Sequence, residues 1–248
     1  RWNPKTNSRL DKSFRIVETL FSWLVDGWIV NSKASRETLL SSCKIKKNDI
    51  YVIYNGIQLP SRVESSSYSK IEILTVANLN HRKGYIQYLN NISKVISLVP
   101  NLKFVFVGRD DMNGAVQKKI IELGLDEYVV YEGFHEDVRD FYKRAKLFVL
   151  PSLWGEGCPT SILEAFSYAV PVVANNIDGI PELIDDGYDG FLLDINDTEN
   201  FISVIKMLNN YDDLRLMGER GRDKINNMFT IDSCVRNHKN VMNKILKH

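Results

Sequence analysis

From Ile71 onward the chain alternates short β-branched or apolar runs with amphipathic stretches, and this alternation limits its possible folds more than any other feature. Runs at Ile71 to Ala77, Leu102 to Val107, Tyr128 to Tyr131, Leu147 to Leu150, Val170 to Ala174 and Gly190 to Leu192 have strand length. Between them, Lys83 to Ser97, Ala115 to Leu123, Val138 to Arg144, Thr160 to Tyr168 and Pro181 to Ile184 read as helices. Continuous apolar strands separated by helices need a sheet covered on both faces. The expected class is therefore α/β, a Rossmann-like parallel sheet with helices on both sides.

The polar run Ser61 to Lys70 lacks apolar periodicity and reads as a linker, which sets a boundary between residues 1–60 and residues 61–230. Upstream, a helix over Ser13 to Val25, a strand over Gly27 to Val30, a helix capped by Ser32 and running to about Ser42, and a strand over Ile50 to Tyr54 are expected. Two strands are too few for an independent sheet, so this part reads as the tail of a neighbouring domain. Downstream, helices are expected over Thr198 to Leu208, Asp212 to Met228 and Ile231 to Leu246.

Thirty-two basic against thirty-one acidic residues give a net charge of +1, so no bulk field favours nucleic acid or an anionic membrane. An anionic ligand would have to be held locally. Cys43, Cys158 and Cys234 have neither disulfide-framework nor zinc spacing, which points to a reducing cytoplasm. Apolar runs fall far short of the ~20 residues that span a bilayer. The opening Arg1-Trp2-Asn3-Pro4 has neither an initiator Met nor a signal pattern, and the expectation is a fragment of a longer protein.

Chemistry concentrates in Pro151 to Phe166, directly after a buried strand. Gly155 and Gly157 allow close backbone approach, Pro159 suits a helix entry, and Thr160 and Ser161 sit where the first helical amides lack partners. Such a helix start attracts phosphate without a large net charge. Glu156 and Glu164 stand with seven residues between them, one on the loop and one two turns into the helix. Carboxylates accept from pairs of hydroxyls, which is what sugars and riboses offer.

With Pro171 to Ala174 and Gly179 to Ile184 following, this segment resembles the Glu, seven residues, Glu motif of glycosyltransferase family 4, the glycosyl transferases group 1. The resemblance extends over Val30-Asn31-Ser32, Tyr54-Asn55-Gly56-Ile57, Val76 to Leu79 with Lys83-Gly84, Val107-Gly108, Gly133-Phe134 and Asp186 to Leu192. It implies the C-terminal, donor-binding half of a two-domain GT-B enzyme. On that basis residues 1–60 are the tail of the N-terminal acceptor domain with the linker, residues 61–230 the nucleotide-sugar-binding domain, and residues 231–248 a helix that crosses back.

The resemblance further implies that Glu164 holds the nucleotide ribose, Glu156 the donor-sugar hydroxyls, and backbone around Gly157, Cys158, Pro159, Thr160 and Ser161 the sugar and phosphate. Lys83 would contact the diphosphate, so Glu156 and Lys83 are the catalytic candidates. A fixed cation stabilises a departing diphosphate more in the transition state than in the ground state. The family usually places Arg where this chain has Asn78, and Arg82 is the neighbouring candidate for a second positive charge. Gly108 and Arg109 take the place of a glycine loop under the nucleotide, and Tyr131 to Phe134 that of a wall beside the base.

Other residues have plainer readings. Cys158 has no local base partner and reads as packing, not as a nucleophile. His81 and His135 sit in polar loops, with His135 a candidate for the nucleotide pocket. Trp154 either stacks on the sugar or closes its loop. Asp185-Asp186-Gly187 and Asp194 to Asp197 are read as turns, and no metal is expected.

The expected function is transfer of a hexose-type sugar from a nucleoside diphosphate donor to a carbohydrate or lipid-linked carbohydrate acceptor, with retention as the resemblance implies. The nucleotide sugar is a substrate, so no cofactor is expected, and no nucleic-acid partner. Peripheral membrane association through the other domain is also expected. Self-association is expected through the apolar face of the last helix, which carries Val235, Val241, Met242, Ile245 and Leu246. Cytoplasmic synthesis of cell-surface polysaccharide is the implied setting. Two readings compete: a non-catalytic sugar-nucleotide-binding module, suggested by Asn78, and a sugar-nucleotide epimerase of the same fold, against which the Glu spacing argues.

Overall fold

The computed structural model describes residues 16–17, 19–21, 24–42, 49–60, 71–99 and 101–246. The first elements are β1 (Trp28–Val30), α1 (Lys33–Ser42) and β2 (Ile50–Val52). Then follow β3 (Ile71–Val76), α2 (Tyr85–Val95), β4 (Leu102–Val107), α3 (Ala115–Glu122), β5 (Val129–Gly133), α4 (Arg139–Arg144) and β6 (Ala145–Leu150). The chain continues with α5 (Thr160–Ser167), β7 (Val172–Asn175), β8 (Gly190–Leu193), α6 (Thr198–Met207), α7 (Tyr211–Met228) and α8 (Ile231–Ile245).

Strands β3 to β8 make one sheet in the order β5-β4-β3-β6-β7-β8, with each neighbouring pair parallel. This is the expected α/β class. The chain winds outward in one direction from β3 and in the other from β6, so the switch point lies between those two strands. Ligands of open parallel sheets bind at the carboxyl ends flanking such a point.

Alternate residues of each strand serve opposite faces. Ile73, Phe104, Phe106 and Leu147 join α2, α3 and α6 in one core, which holds Tyr85, Tyr88, Val116, Ile120, Phe201 and Ile205. Leu74, Val105, Phe148 and Leu150 join α4 and α5 in the other, with Phe141, Ile162, Leu163, Phe166 and Phe229. Each fully buried Leu, Ile or Phe favours folding by about 1.5–3 kcal/mol over leaving it exposed.

Two helices expected from sequence take another form. Residues His81–Lys83 form a 3-10 turn that ends at Gly84, and the α-helix starts at Tyr85. Gly84 has φ 67°, and a Cβ there would lie 2.2 Å from the carbonyl oxygen of Pro151. The close crossing of the loop after β6 thus breaks the helix and leaves Lys83 turned inward and buried. The segment expected as a helix at Pro181 to Ile184 is a 3-10 turn over Ile180–Glu182.

Strands β1 and β2 pair with each other in a separate parallel sheet. This upstream part is fastened to the larger sheet by side chains and by backbone. The Glu182 carboxylate accepts from the backbone amides of Lys33 (2.7 Å) and Ala34 (2.8 Å) and from the Tyr54 hydroxyl (2.8 Å). The Ile57 amide donates to the Phe229 carbonyl, and the Ile231 amide to that of Ile57. Helix α8 reaches the same part, with Lys244 Nζ 5.2 Å from the Tyr51 ring centre. Of the helix expected over Ser13 to Val25, residues 16–17 and 19–21 are helical. The expected linker and Cys43 lie outside the described residues. Among the described residues no helix is long and apolar enough to cross a membrane.

Candidate functional site

The carboxyl ends of β3, β4 and β5 are stitched into one rim. The Ala77 amide donates to the Val107 carbonyl, Leu79 to Arg109, and Gly108 to Gly133. Asn78 belongs to this stitching, because its Oδ1 accepts from the Arg109 amide at 3.2 Å. The Arg109 side chain turns to Asp111 at 2.7 Å, and this contact holds the Asp111 carboxyl below the ordinary range. Tyr131 donates its hydroxyl to the Gly108 carbonyl, and Phe134 is exposed.

At the switch point, the loops after β3 and β6 bring three side chains, Lys83, Arg82 and Ser152, onto one oxygen of Glu156. Glu156 is only 6% exposed, and its Oε1 pairs with Lys83 Nζ and lies 3.2 Å from Arg82 Nη1. Ser152 donates its hydroxyl to the same oxygen at 2.6 Å. Arg82 also donates to the Gly155 carbonyl at 2.9 Å. A carboxylate removed from water needs such donors, and a cation buried beside it needs the carboxylate.

Residues outside the expected set hold this cluster in place. Asp178 accepts from the amides of Gly155 (2.6 Å) and Glu156 (3.3 Å), while the Gly179 amide donates to the Glu156 carbonyl. Asn175, buried at the end of β7, donates to the Ser152 carbonyl at 2.9 Å and accepts from the Ile195 amide at 2.5 Å. The sequence signals were weak: an Asn ending the apolar run of β7, an Asp-Gly turn dipeptide, and a Ser inside a motif read mainly for its glycines and glutamates.

The predicted helix start is present, with Pro159 as the residue before α5 and making no side-chain cap, while the Ile162 amide donates to the Pro159 carbonyl; amides at a helix start can receive an anion. Thr160 is exposed and Ser161 half-buried. Gly157 leaves room for the upstream part: a Cβ there would lie 2.3 Å from Asn31 Oδ1. The buried Cys158 presents its carbonyl to Asn55 Nδ2 at 2.6 Å.

Glu164, one turn into α5, accepts from the Tyr142 hydroxyl at 2.8 Å. Burial, reinforced by this carboxylate, pushes the Tyr142 phenol well above its ordinary range. Tyr142 stacks on Tyr168, with ring centres 5.8 Å apart and planes 8° from parallel. Glu164 and both tyrosines line a cavity of about 680 Å³ with Gln58, Glu136 and Lys143, and none of Arg82, Lys83 and Glu156 lines it. Lys83, Arg82 and Glu156 thus form one cluster and Glu164 lines a cavity that none of them lines, while Asn78, Gly108 and Arg109 belong to the rim and Gly157 to Ser161 to the entry of α5.

His135 places Nε2 3.2 Å from the Glu132 carbonyl, with its ring edge-on to Phe141. Asp197 caps α6 by accepting from the amides of Glu199 and Asn200. Among the described residues no group of three or more His, Cys, Asp or Glu is placed to hold a metal ion.

Comparison with known proteins bears on this geometry. Residues 61–224 match the family model for glycosyl transferases group 1. The chain is 35% identical over 136 residues to the Escherichia coli UDP-Gal:alpha-D-GlcNAc-diphosphoundecaprenol alpha-1,3-galactosyltransferase, an alignment covering 54% of this chain and 35% of that protein. It is 30% identical over 206 residues to an uncharacterized 41.2 kDa protein in the cps region of Klebsiella pneumoniae, covering 78% and 55%. The chain therefore spans between about a third and just over half of these relatives. Among solved structures, Anabaena Alr3699/HepE in complex with UDP and glucose superposes with a TM-score of 0.84 at 19% identity, over 99% of this chain and 69% of that one. TarM of S. aureus, in a complex that includes UDP, superposes with a TM-score of 0.82 at 20% identity, over 98% and 48%.

Proposed function

Since the chain belongs to the glycosyl transferases group 1 family, we propose that it is the donor-binding half of a GT-B enzyme that transfers a hexose-type sugar, with retention, from a nucleoside diphosphate donor. The acceptor is a carbohydrate or lipid-linked carbohydrate, bound mainly by the other half. The observation that carries this reading is the buried Lys83–Glu156 pair at the switch point of the sheet. It puts a cation and a hydroxyl-accepting carboxylate where a sugar diphosphate would lie.

In this reading Lys83 and the first amides of α5 take the phosphates, Glu156 the donor-sugar hydroxyls and Glu164 the ribose diol. The C1–O bond to the diphosphate breaks, and its electron pair leaves with the phosphate oxygen. An acceptor hydroxyl forms the new C1–O bond on the same face and gives its proton to that departing oxygen. Positioning and neutralisation of the leaving group lower the barrier without a side-chain nucleophile. The printed names of the E. coli relative and of the Anabaena structure support a UDP-linked donor, and the former supports a lipid-linked acceptor. Cytoplasmic polysaccharide synthesis, membrane contact through the other half, and self-association through α8 complete the proposal. A second reading, a module that binds without transfer, is favoured by the commitment of Asn78 to the Arg109 amide.

Calorimetric titration with UDP, GDP, ADP and their sugars tests the proposal. One nucleotide is expected to bind selectively, with Glu164→Ala and Lys83→Ala each weakening it by about tenfold or more. If no nucleotide binds at about millimolar concentration, the donor-binding reading falls. Sugar transfer by the longer protein then separates the enzyme from the module.

A further inference from the structure

Asp178 holds its backbone in the left-handed region, at φ 47°, where any residue with a side chain is strained and Asp and Asn are tolerated best after glycine. That conformation puts two contacts on one neighbour. From the side chain, Oδ2 accepts from the successive amides of Gly155 and Glu156 at 2.6 and 3.3 Å. From the next residue, the Gly179 amide donates to the Glu156 carbonyl at 2.9 Å. Gly179 can come this near only without a side chain, since a Cβ there would lie 2.0 Å from the Gly157 carbonyl oxygen. Two successive amides aimed at one oxygen make a small anion-binding concavity, and Gly155, at φ 79°, supplies the turn that shapes it. The loop after β7 therefore grips the backbone of residue 156 at both its amide and its carbonyl.

What the grip governs is the Glu156 side chain. Arg82, Lys83 and Ser152 all take its Oε1, so where Oε2 points depends on how the backbone of residue 156 is held. Strain at a residue persists where the surroundings over-determine it, and such residues cluster at working sites. We propose that Asp178 is a positioning residue for the donor sugar: its carboxylate fixes the backbone of Glu156 so that the Glu156 carboxylate meets the sugar hydroxyls. Asp178 thereby sets the preference for a nucleotide sugar over the bare nucleotide. The inference rests on the donor-binding reading above. In that reading the phosphates are met by Lys83, placed by its own turn, and by the start of α5, so loosening residue 156 costs the sugar more than the nucleotide.

Two substitutions separate the roles of Asp178. Asp178→Gly keeps the left-handed backbone accessible and deletes the acceptor, whereas Asp178→Asn keeps both the backbone tolerance and an acceptor oxygen. UDP, GDP and ADP and the glucose and galactose conjugates of each are titrated into wild type, the two variants, Glu156→Gln, and the double variant Asp178→Gly with Glu156→Gln. The nucleotide that the wild type binds is followed with its tighter-binding conjugate. Asp178→Gly is expected to weaken the nucleotide sugar about tenfold and the nucleotide less than about twofold, with Asp178→Asn recovering most of the loss. Because the effect runs through Glu156, adding Asp178→Gly to Glu156→Gln should change sugar binding by less than about twofold. Equal losses for the two ligands, no loss for either, or full additivity in the double variant overturn the proposal and leave Asp178 as a brace for the loop. The thermal midpoint of Asp178→Gly is expected within about 3 °C of wild type, and a fall of about 10 °C or more would make Asp178 a folding residue and overturn the proposal as well. If the wild type binds a nucleotide but neither conjugate, this inference falls and nucleotide binding stands. If it binds no nucleotide, the donor-binding reading itself has failed, and this inference with it.

Discussion

Arg82, Lys83 and Ser152 all meet Glu156 through a single oxygen, Oε1, so the carboxylate is the shared counter-ion of the two cations. Its removal should have opposite effects on two ligands. Glu156→Gln keeps the shape and deletes the charge, which frees the cations for phosphate. UDP is expected to bind about threefold or more tightly, while the advantage of a UDP-sugar over UDP shrinks; weaker UDP binding would make Glu156 a scaffold for the loop instead. Tyr142 is the corresponding support for Glu164. Tyr142→Phe removes the hydroxyl that reaches Oε2, at a stability cost of about 1 kcal/mol by thermal or urea unfolding. It should also weaken a ribonucleotide about threefold and leave its 2′-deoxy form unchanged, whereas equal losses would separate Tyr142 from ribose binding. The two glutamates were visible in sequence because their spacing lies within one loop and helix. Tyr142, Asp178 and Ser152 were not, because each acts through a partner chosen by the fold.

At the scale of elements, the strands were legible to within about two residues because burial on both faces writes uninterrupted apolar runs. The turn that carries Lys83 was less so. An amphipathic pattern over Lys83 to Ser97 describes the buried side of a helix but does not register that the loop after β6 crosses it at Gly84. Backbone placed by another strand is invisible to local periodicity, and the φ of 67° records it. Gly84→Ala combines that conformation with a Cβ 2.2 Å from the Pro151 carbonyl oxygen. It is expected to cost about 2 kcal/mol or more and to lower nucleotide affinity by displacing Lys83. Unfolding within about 0.5 kcal/mol of wild type would show that the two loops move apart easily and that their crossing does not position the cation.

Across the whole molecule, the upstream part and the six-stranded sheet share the site rather than lying side by side. Glu182 ties down the start of α1 and the Tyr54 hydroxyl, while Asn55 and Asn31 from the upstream part meet the Cys158 carbonyl and Gly157 in the loop that enters α5. The fastening and the loop that enters α5 therefore belong to one network, and ordering one is expected to order the other. Glu182→Ala leaves the amides of Lys33 and Ala34 without their cap, a loss of about 1 kcal/mol or more. It should speed proteolysis within residues 24–57 and weaken nucleotide binding about three- to tenfold, although Glu182 itself lies outside the proposed set of donor contacts. Linkage then requires the converse, that saturating nucleotide slows the same cleavage in the wild type. Faster cleavage in Glu182→Ala with unchanged nucleotide affinity would separate the two, leaving the upstream part as a cover that the loop after β6 does not need.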